Sequence, residues 1–572
     1  MVFFNSPCPC ASYPVSFLIV RKIRSQEPAG FLSIVLHAHL PYVRCPGQAY
    51  HLEEYWLYEA LTETYIPLLR MFEQLLDDRT EFRITLSLSP TLIAMFSDRL
   101  LQERYSRHLD RLIAMAQEEM ARTRNDDTFF PLARMYYGHF RAIRELYDHV
   151  YRRDLIAAFR SVAESGSVEL ITSAATHAYL PALLSEPSSV KAQLCIGTKY
   201  FSETFGTKAG GIWLPECGFA PELDPLISES GSRFFFLESH GLIAGSPPPR
   251  QSIYGPAATP SGAVAFARDV DSAHEVWSSL SGYPGDPDYR DFYRDIGFDH
   301  SPELLRDYLP HGIRTFTGMK YYRITGKSDT KQPYIIERGL SKARIHAADF
   351  VRKKKEQVLS LRQRFGPDSS APVITAAYDA ELFGHWWFEG VEWLRGVLTH
   401  AASSHKDLEL MTPSAYIAEH PVTQTCMPSL SSWGKKGYGA TWIDGENNWI
   451  YRHVLHASGL MADMADASLK NPARVSSSEL MKRALNQAAR ELLLAQSSDW
   501  PFMIKNRNAA AYAEKRLAGH IQNFLALHRE ITAGPINSAS LEHLERQNSL
   551  FPDIDYRIFG RKSSGKEFIE GI

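Results

Sequence analysis

Short apolar runs alternate with longer amphipathic stretches over the first two thirds of the chain. Six runs have the length and β-branched or aromatic content of buried strands: 31–36 (FLSIVL), 82–88 (FRITLSL), 168–171 (VELI), 211–214 (GIWL), 234–237 (FFFL) and 373–376 (VITA). Stretches such as 54–78 and 187–205 have helical spacing instead. This alternation predicts parallel strands joined by helices. Because polar residues follow most of the strands, the pattern favours a parallel α/β barrel with a site at the carboxyl ends.

Two regions depart from this alternation and predict helical additions to the barrel. Residues 91–164 are rich in Arg, Glu, Leu and Met at helical spacing without a strand signal, which predicts a helical insertion. From about residue 430 helical patterns dominate again. We therefore predict a catalytic barrel over 30–427, with the insertion at about 91–164, and a C-terminal helical domain over 428–572. Residues 244–262 contain five prolines and predict a long loop.

The first 29 residues are predicted to be a disordered extension. Their apolar patch, 15–20, precedes the positive charges at 21–24, whereas a secretory signal has the opposite order. The six cysteines are scattered and form no CxxC pair, which favours a reducing compartment and hence the cytoplasm.

Composition narrows the possible partners. The 572 residues include 62 Lys+Arg and 65 Asp+Glu, a net charge of −3, which gives no electrostatic basis for general nucleic-acid binding. No window approaches the roughly 20 apolar residues that span a bilayer. The 10 Trp, 27 Tyr and 30 Phe residues suit a site that stacks against flat, uncharged sugar rings. Oligomeric state is left open.

Two carboxylates follow predicted strands and are candidates for acid–base chemistry. Glu216 lies in WLPECG and Asp379 in YDAELFGHWWFEG. Parallel barrel strands converge, so the two side chains can face one centre. A pair about 5–5.5 Å apart is the arrangement of retaining glycosidases. A strand-end carboxylate can also be a loop cap or an ion-pair partner, but the neighbouring Trp213, Trp386 and Trp387 favour a sugar site.

His37 and His39 form an HxH pair at the end of the first strand, where positions i and i+2 share a face. Three interpretations are open: hydrogen bonding to sugar hydroxyls, metal ligation or a structural role. A metal site would need a partner aspartate at the same strand end, and none is evident. Contact with sugar is favoured.

Seven ordered motifs resemble glycoside hydrolase family 57, and within it the α-1,4-glucan branching enzymes. The resemblance runs from about Gly30 to Phe559. The motifs are HAHLPYVR (37–44), GSVELITSAATHAYLP (166–181), GIWLPECGF (211–219), VWSSLSGYPGDPDYRDFYRDIGFD (276–299), YDAELFGHWWFEG (378–390), SSWGKKGYGATWIDGENNWIYRH (431–453) and SSDWPFMI (497–504).

This resemblance implies a (β/α)7 barrel, incomplete relative to a TIM barrel, with an inserted helical domain and a helical C-terminal domain. It implies a retaining mechanism without metal or cofactor, with Glu216 as nucleophile and Asp379 as general acid/base. Glu381 is the rival acid/base, and the family pattern gives it an orienting role. His37 and His39 resemble histidines of the donor-sugar subsite. Further positions that match or suit substrate contacts are Trp277, Arg294, Gly312, Trp433 and Asp499.

Each of these contacts has a simpler interpretation. Arg294 could form a surface ion pair, Trp277 and Trp433 could only pack, and Asp499 could cap a helix.

The implied activity is 1,4-α-glucan branching: transfer of an α-1,4-glucan chain from amylose, amylopectin or glycogen to a 6-hydroxyl. The alternatives are an α-amylase or 4-α-glucanotransferase with the same site, a non-catalytic glucan-binding protein, and a metal-dependent deacetylase that uses the HxH pair. Branching members of the family carry a tyrosine on a mobile loop over the site. Neither Tyr254 in the proline-rich loop nor Phe266 after it can be assigned to that position.

Overall fold

The computed structural model of the protein describes residues 27–48, 51–309, 312–328, 330–404, 406–471 and 478–570. The predicted disordered extension lies outside the described residues except for 27–29.

Parallel strands form the centre of the molecule. In chain order the strands are β1 (Gly30–Ala38), β2 (Ile84–Leu88), β3 (Val168–Ser173), β4 (Gly211–Trp213), β5 (Phe234–Leu237), β6 (Ala257–Ala258), β7 (Val264–Ala267), β8 (Val373–Asp379) and β9 (Leu408–Leu410). Seven of them lie in the order β7-β5-β4-β3-β2-β1-β8, with parallel pairing. A parallel bridge between Arg268 and Thr375 joins the two ends. The predicted (β/α)7 barrel is confirmed.

The remaining two strands are additions to this barrel. β6 pairs antiparallel with β7, and β9 pairs parallel with the start of β1. The pattern analysis identified six barrel strands and missed β7. Its sequence, VAFA, contains two alanines and directly follows the proline-rich loop, so it lacks the bulky apolar run that marks the equally short β5 (FFFL).

Alternate residues of the strands pack on opposite sides of the barrel wall. Phe31 and Val35 of β1 belong to an interior cluster with Trp213 and Phe236, whereas Leu32 belongs to the larger core outside the wall. The interior row of β1 continues to position 37, because side chains at i and i+2 share a face. The barrel is therefore packed at its lower end, and His37 is placed at the upper end.

Helices cover the barrel and form the two predicted additions. The helices around the barrel are Glu54–Ala60, Ile66–Asp77, Pro187–Phe205, Asp224–Glu229, Ser239–Ile243, Val270–Trp277, Ile336–Phe365, Gly390–Ala402 and Pro413–Glu419, and the short helix Ile296–Asp299 lies in a further insertion described below. Between β2 and β3 lie Pro90–Phe96, Arg99–Arg122, Phe130–Glu145 and Leu155–Glu164, where the helical insertion was predicted. The C-terminal helices are Trp449–Lys470, Glu479–Ala495, Asp499–Asn506, Ala510–Ala533, Ser538–Gln547 and Gly565–Glu570. None of the helices in the described ranges is long and apolar enough to cross a membrane.

A second insertion, which we define as residues 278–335 between β7 and β8, was not predicted. It is mostly irregular and packs against the helical insertion. The Tyr136 hydroxyl donates to the Lys320 carbonyl at 2.9 Å, and the Tyr321 hydroxyl donates to Glu119 Oε2 at 3.0 Å. The two insertions thus support one another beside the upper end of the barrel.

Candidate active site

A cleft of about 770 Å³ opens at the carboxyl ends of the strands. Seven of the nine predicted site residues line it: His37, His39, Glu216, Trp277, Asp379, Trp433 and Asp499. The lining side chains come from the barrel, from the helix Val270–Trp277 and from residues after 430. The cleft is therefore built jointly by the barrel and the C-terminal region.

The backbone at Glu216 has a left-handed conformation. β4 ends at Trp213, and a single helical turn follows in which Glu216 has φ 63° and ψ 20°. Such a conformation is unfavourable for a residue with a Cβ and is concentrated at functional sites. The Glu216 carbonyl accepts the Trp433 backbone N–H at 2.9 Å, which fixes the turn against the C-terminal region.

The Glu216 carboxyl group is held by two donors from that region. Trp433 Nε1–H donates to Oε2 at 2.7 Å, and the Ser498 hydroxyl donates to Oε1 at 2.8 Å. Burial raises the pKa of Glu216, and these two hydrogen bonds oppose the rise because they favour the charged form. Both carboxylate oxygens are thus oriented by neutral donors.

Asp379 is the last residue of β8, in register with His37 of β1. Burial raises the pKa of its carboxyl group well above the ordinary value, and the nearby Glu381 and Glu216 raise it further. The Arg268 guanidinium opposes this rise. Because desolvation dominates, Asp379 retains its proton at a pH where an exposed aspartate has lost it.

Glu381 is engaged with its neighbours. It accepts the His39 backbone N–H at 3.1 Å and the Tyr65 hydroxyl. Burial raises its pKa to about 7. Tyr65 ends the π-helical turn Leu61–Tyr65, and such turns recur at functional sites. These contacts agree with the orienting role expected for Glu381.

Three stacked imidazoles form one wall of the cleft. His39 and His177 lie with ring centroids 3.7 Å apart and planes 12° apart, and His37 stacks on Trp213 at 4.7 Å. Burial and the neighbouring imidazoles lower the pKa values of His37 and His177. These two rings are therefore neutral donors or acceptors at neutral pH.

Hydrogen bonding connects this wall to Glu216. Ser498 donates to Glu216, so its oxygen accepts from His177 Nδ1 at 2.9 Å. His177 Nε2 then accepts from His37 Nε2 at 2.9 Å, which fixes the tautomers of both rings. His39 Nε2 contacts Asp499 Oδ2 at 3.2 Å.

No group of three or more His, Cys, Asp or Glu side chains within the described ranges could hold a metal ion. Independence of the reaction from metal stays a prediction.

Sequence reasoning missed three residues of the site. His177 and Ser498 complete the hydrogen-bond chain, and Arg268 donates to Glu238 Oε2 at 2.6 Å while its guanidinium lies 5.0 Å from the Trp433 ring. His177 could have been found, because it is a polar residue in the segment after β3. Ser498 lies in the SSDWPFMI motif, but only its neighbour Asp499 was taken from it, and Arg268 was missed together with β7, which it directly follows.

The other predicted contacts divide into two groups. Trp277 lies at the rim with its ring 5.9 Å from that of Trp386. Arg294 and Gly312 do not line the cleft. Arg294 forms a 2.8 Å ion pair with Asp299, and Gly312 is an exposed residue with φ 70°. The substrate roles of Arg294 and Gly312 stay predictions.

Neither aromatic residue considered for the lid lies over the cleft. Phe266 is buried in β7, and the Tyr254 hydroxyl accepts a hydrogen bond from Gln357 at 3.2 Å. The part of the chain that the structure describes contributes no tyrosine to the lining of the cleft.

A parallel barrel with two carboxyl groups and several tryptophans lining one cleft is typical of a glycoside-processing site. Comparison with protein families agrees: the model for glycosyl hydrolase family 57 matches residues 33–429, and the model "1,4-alpha-glucan branching enzyme, C-terminal" matches residues 453–559. The chain belongs to glycosyl hydrolase family 57.

The relatives include both branching enzymes and an α-amylase. The 1,4-alpha-glucan branching enzyme of Thermococcus kodakarensis is 31% identical over 562 residues, covering 91% of this chain and 77% of its own. The α-amylase AmyC of Thermotoga maritima superposes with a TM-score of 0.86 and 41% identity, over 93% of this chain and 99% of its own. The GH57-type branching enzyme of Pyrococcus horikoshii superposes with a TM-score of 0.81 and 30% identity, over 94% of this chain and 98% of its own.

The raised pKa of Asp379 predicts a measurable dependence of stability on pH. As pH rises, the unfolded chain loses this proton at the ordinary pKa, whereas the folded protein keeps it. The free energy of unfolding therefore falls from about pH 4 upwards, until the folded state also releases the proton. Asp379→Asn removes this contribution, so its Tm should fall less steeply between about pH 5 and about pH 8 by calorimetry.

The matched control is Asp127→Asn, an exposed position in the helical insertion, which should keep the wild-type slope. An Asp379→Asn variant with the wild-type slope would contradict the burial of an uncharged carboxyl group.

Proposed function

We propose that the protein is a retaining 1,4-α-glucan branching enzyme, with Glu216 as nucleophile and Asp379 as general acid/base. The observation that carries the proposal is that these two carboxyl groups line one cleft, with Glu216 held by two neutral donors and Asp379 close to two other carboxyl groups. The match of residues 453–559 to a branching-enzyme C-terminal model, and the branching enzymes among the relatives, support the choice of reaction. The substrate class is α-glucan.

In the first half-reaction, a Glu216 carboxylate oxygen attacks C1 of the donor sugar. The C1–oxygen bond of the α-1,4 linkage breaks, and the Asp379 proton moves to the departing 4-oxygen. The result is a β-linked glycosyl ester on Glu216 and a free chain end. The two donors that hold the Glu216 carboxyl group, Trp433 and Ser498, position it for attack.

In the second half-reaction, the Asp379 carboxylate takes the proton of an acceptor 6-hydroxyl. The acceptor oxygen bonds to C1, the ester bond breaks, and Glu216 regains its charge with an α-1,6 linkage formed. Water in place of the acceptor would give hydrolysis. The neutral His37 and His177 suit hydrogen bonding to sugar hydroxyls because they add no competing charge.

A second candidate is α-amylase activity with the same residues. Two observations favour it: the 41% identity to the Thermotoga α-amylase, and a cleft lined by no tyrosine within the described residues. A missing lid would let water compete with the acceptor. A 4-α-glucanotransferase is the third possibility within the family, with a 4-hydroxyl as acceptor.

Linkage analysis of amylose after incubation with the purified protein separates these reactions. Branching gives α-1,6 linkages and short chains after debranching, hydrolysis gives reducing ends alone, and 4-α-transfer redistributes chain lengths without α-1,6 linkages. The same incubation after dialysis against a chelator should give an unchanged product. Loss of activity that zinc or another divalent ion restores would instead support metal ligation by His37 and His39.

The acid/base assignment predicts that Asp379→Asn lowers turnover of ordinary glucans by at least about 10²-fold, the scale of general acid catalysis. Glu381→Gln is the matched variant, because this residue touches the same cleft but is hydrogen-bonded to Tyr65 and His39. We expect the smaller loss there. Near-normal turnover of Asp379→Asn with a collapse in Glu381→Gln would transfer the role to Glu381.

The nucleophile assignment predicts chemical rescue. Glu216→Gln keeps the size and packing of the side chain but cannot attack, so glucan should bind while turnover collapses. Glu216→Ala leaves space beside C1, and added azide should enter it to give a β-glycosyl azide, identified by NMR. An α-glycosyl azide, or full activity in the Gln variant, would place the nucleophile elsewhere.

Cytoplasmic location, the absence of nucleic-acid and membrane partners, and the domain boundaries at 30, 427 and 428 stay predictions.

A further inference from the structure

A second groove lies beside the catalytic cleft. It has a volume of about 410 Å³, and two tryptophans, Trp277 and Trp386, line both the groove and the cleft. The rest of its lining comes from the second insertion and from the loop after Asp379. The groove and the cleft therefore meet at the tryptophan pair and together form one longer path.

Aromatic side chains with free faces line this groove. Tyr293 of the second insertion is 77% exposed and Trp386 is 42% exposed. Exposed large aromatic side chains clustered beside an active site indicate a binding surface. Flat apolar faces of this kind suit stacking against the rings of a sugar chain.

The position of the groove indicates which part of the glucan it meets. Trp386 belongs to the loop that directly follows Asp379, whereas Trp433 and Asp499 line the cleft from the C-terminal region. A general acid/base acts on the bridging oxygen, so the chain leaving with that oxygen lies on its side of the broken bond. The acceptor enters from the same side.

We propose that this groove binds the α-glucan segment on the acid/base side of the cleaved bond, with Tyr293 and Trp386 as stacking platforms. It holds the departing segment in the first half-reaction and the acceptor in the second. This inference rests on the proposed action on α-glucan. It makes the second insertion, rather than the barrel, the determinant of how long a chain the enzyme prefers.

Binding of a maltooligosaccharide series to Glu216→Gln protein, measured by calorimetry, tests the inference without turnover. From maltotriose to maltodecaose, affinity should rise at the length where the chain passes Trp386. Adding Tyr293→Ala should lower the ratio of long-chain to short-chain affinity about five- to tenfold, the scale of losing one aromatic anchor. Tyr293→Phe should restore the ratio, because stacking needs only the ring.

Leu280→Ala is the matched control. Leu280 lies in the second insertion, is 96% exposed and does not line either cavity, so the ratio should be unchanged. An unchanged ratio in both Tyr293→Ala and Trp386→Ala would overturn the inference.

This result is independent of the linkage analysis. If amylose gains no α-1,6 linkages but Tyr293→Ala still lowers the ratio, the groove stands and the branching proposal fails. If α-1,6 linkages form and the ratio does not respond to either variant, branching stands and the groove assignment fails.

Discussion

The site depends on burying the Glu216 carboxyl group while keeping it able to carry charge. Burial alone would favour the protonated form, and a protonated carboxyl group cannot attack a sugar. The protein opposes this with donors from Trp433 and Ser498, each at hydrogen-bond distance from one oxygen. Both donors are neutral, and they come from outside the barrel. The docking of the C-terminal region, the tautomers of the histidine stack and the strained turn at Glu216 all serve this one arrangement.

The surroundings of Asp379, the second carboxyl group, favour its protonated form. Asp379 lies at the end of a buried strand near two other carboxyl groups, and this environment keeps its proton in place. Two carboxylic acids of nearly the same intrinsic pKa are thus separated by their surroundings rather than by their identity, which is how acid and nucleophile roles are commonly assigned. Glu381 is a third carboxyl group in the cleft, but it accepts hydrogen bonds from the Tyr65 hydroxyl and the His39 backbone N–H. These hydrogen bonds hold it against the end of β1.

Local sequence patterns predicted most of the strands and helices, because these elements depend on local hydrophobic periodicity. Six barrel strands and the helical additions followed from hydrophobic periodicity, and the polar residues after the strands located Glu216, Asp379 and the HxH pair. The strand β7 was missed because two of its four residues are alanines, whereas the equally short β5 is FFFL. The second insertion was missed because it is mostly irregular. Ser498 meets Glu216 across 282 residues of chain, and although each lies in a recognised motif, neither motif by itself indicates that the two side chains touch. Arg294 and Gly312 were taken from motif likeness alone, and the structure places neither in the cleft.

The distance in sequence between Glu216 and Ser498 also determines when the site can assemble during synthesis of the chain. A ribosome completes the barrel strands by residue 379, but the residue that orients Glu216 is added more than a hundred positions later. Until residue 433 is added, the Glu216 carboxyl group lacks both donors; until residue 498 is added, it lacks one of them and His177 lacks its Ser498 partner. In a nascent chain the barrel strands are therefore complete while the cleft is not. The last residue that lines the cleft is Phe502, so assembly of the site waits for the chain to be extended well into its C-terminal helices.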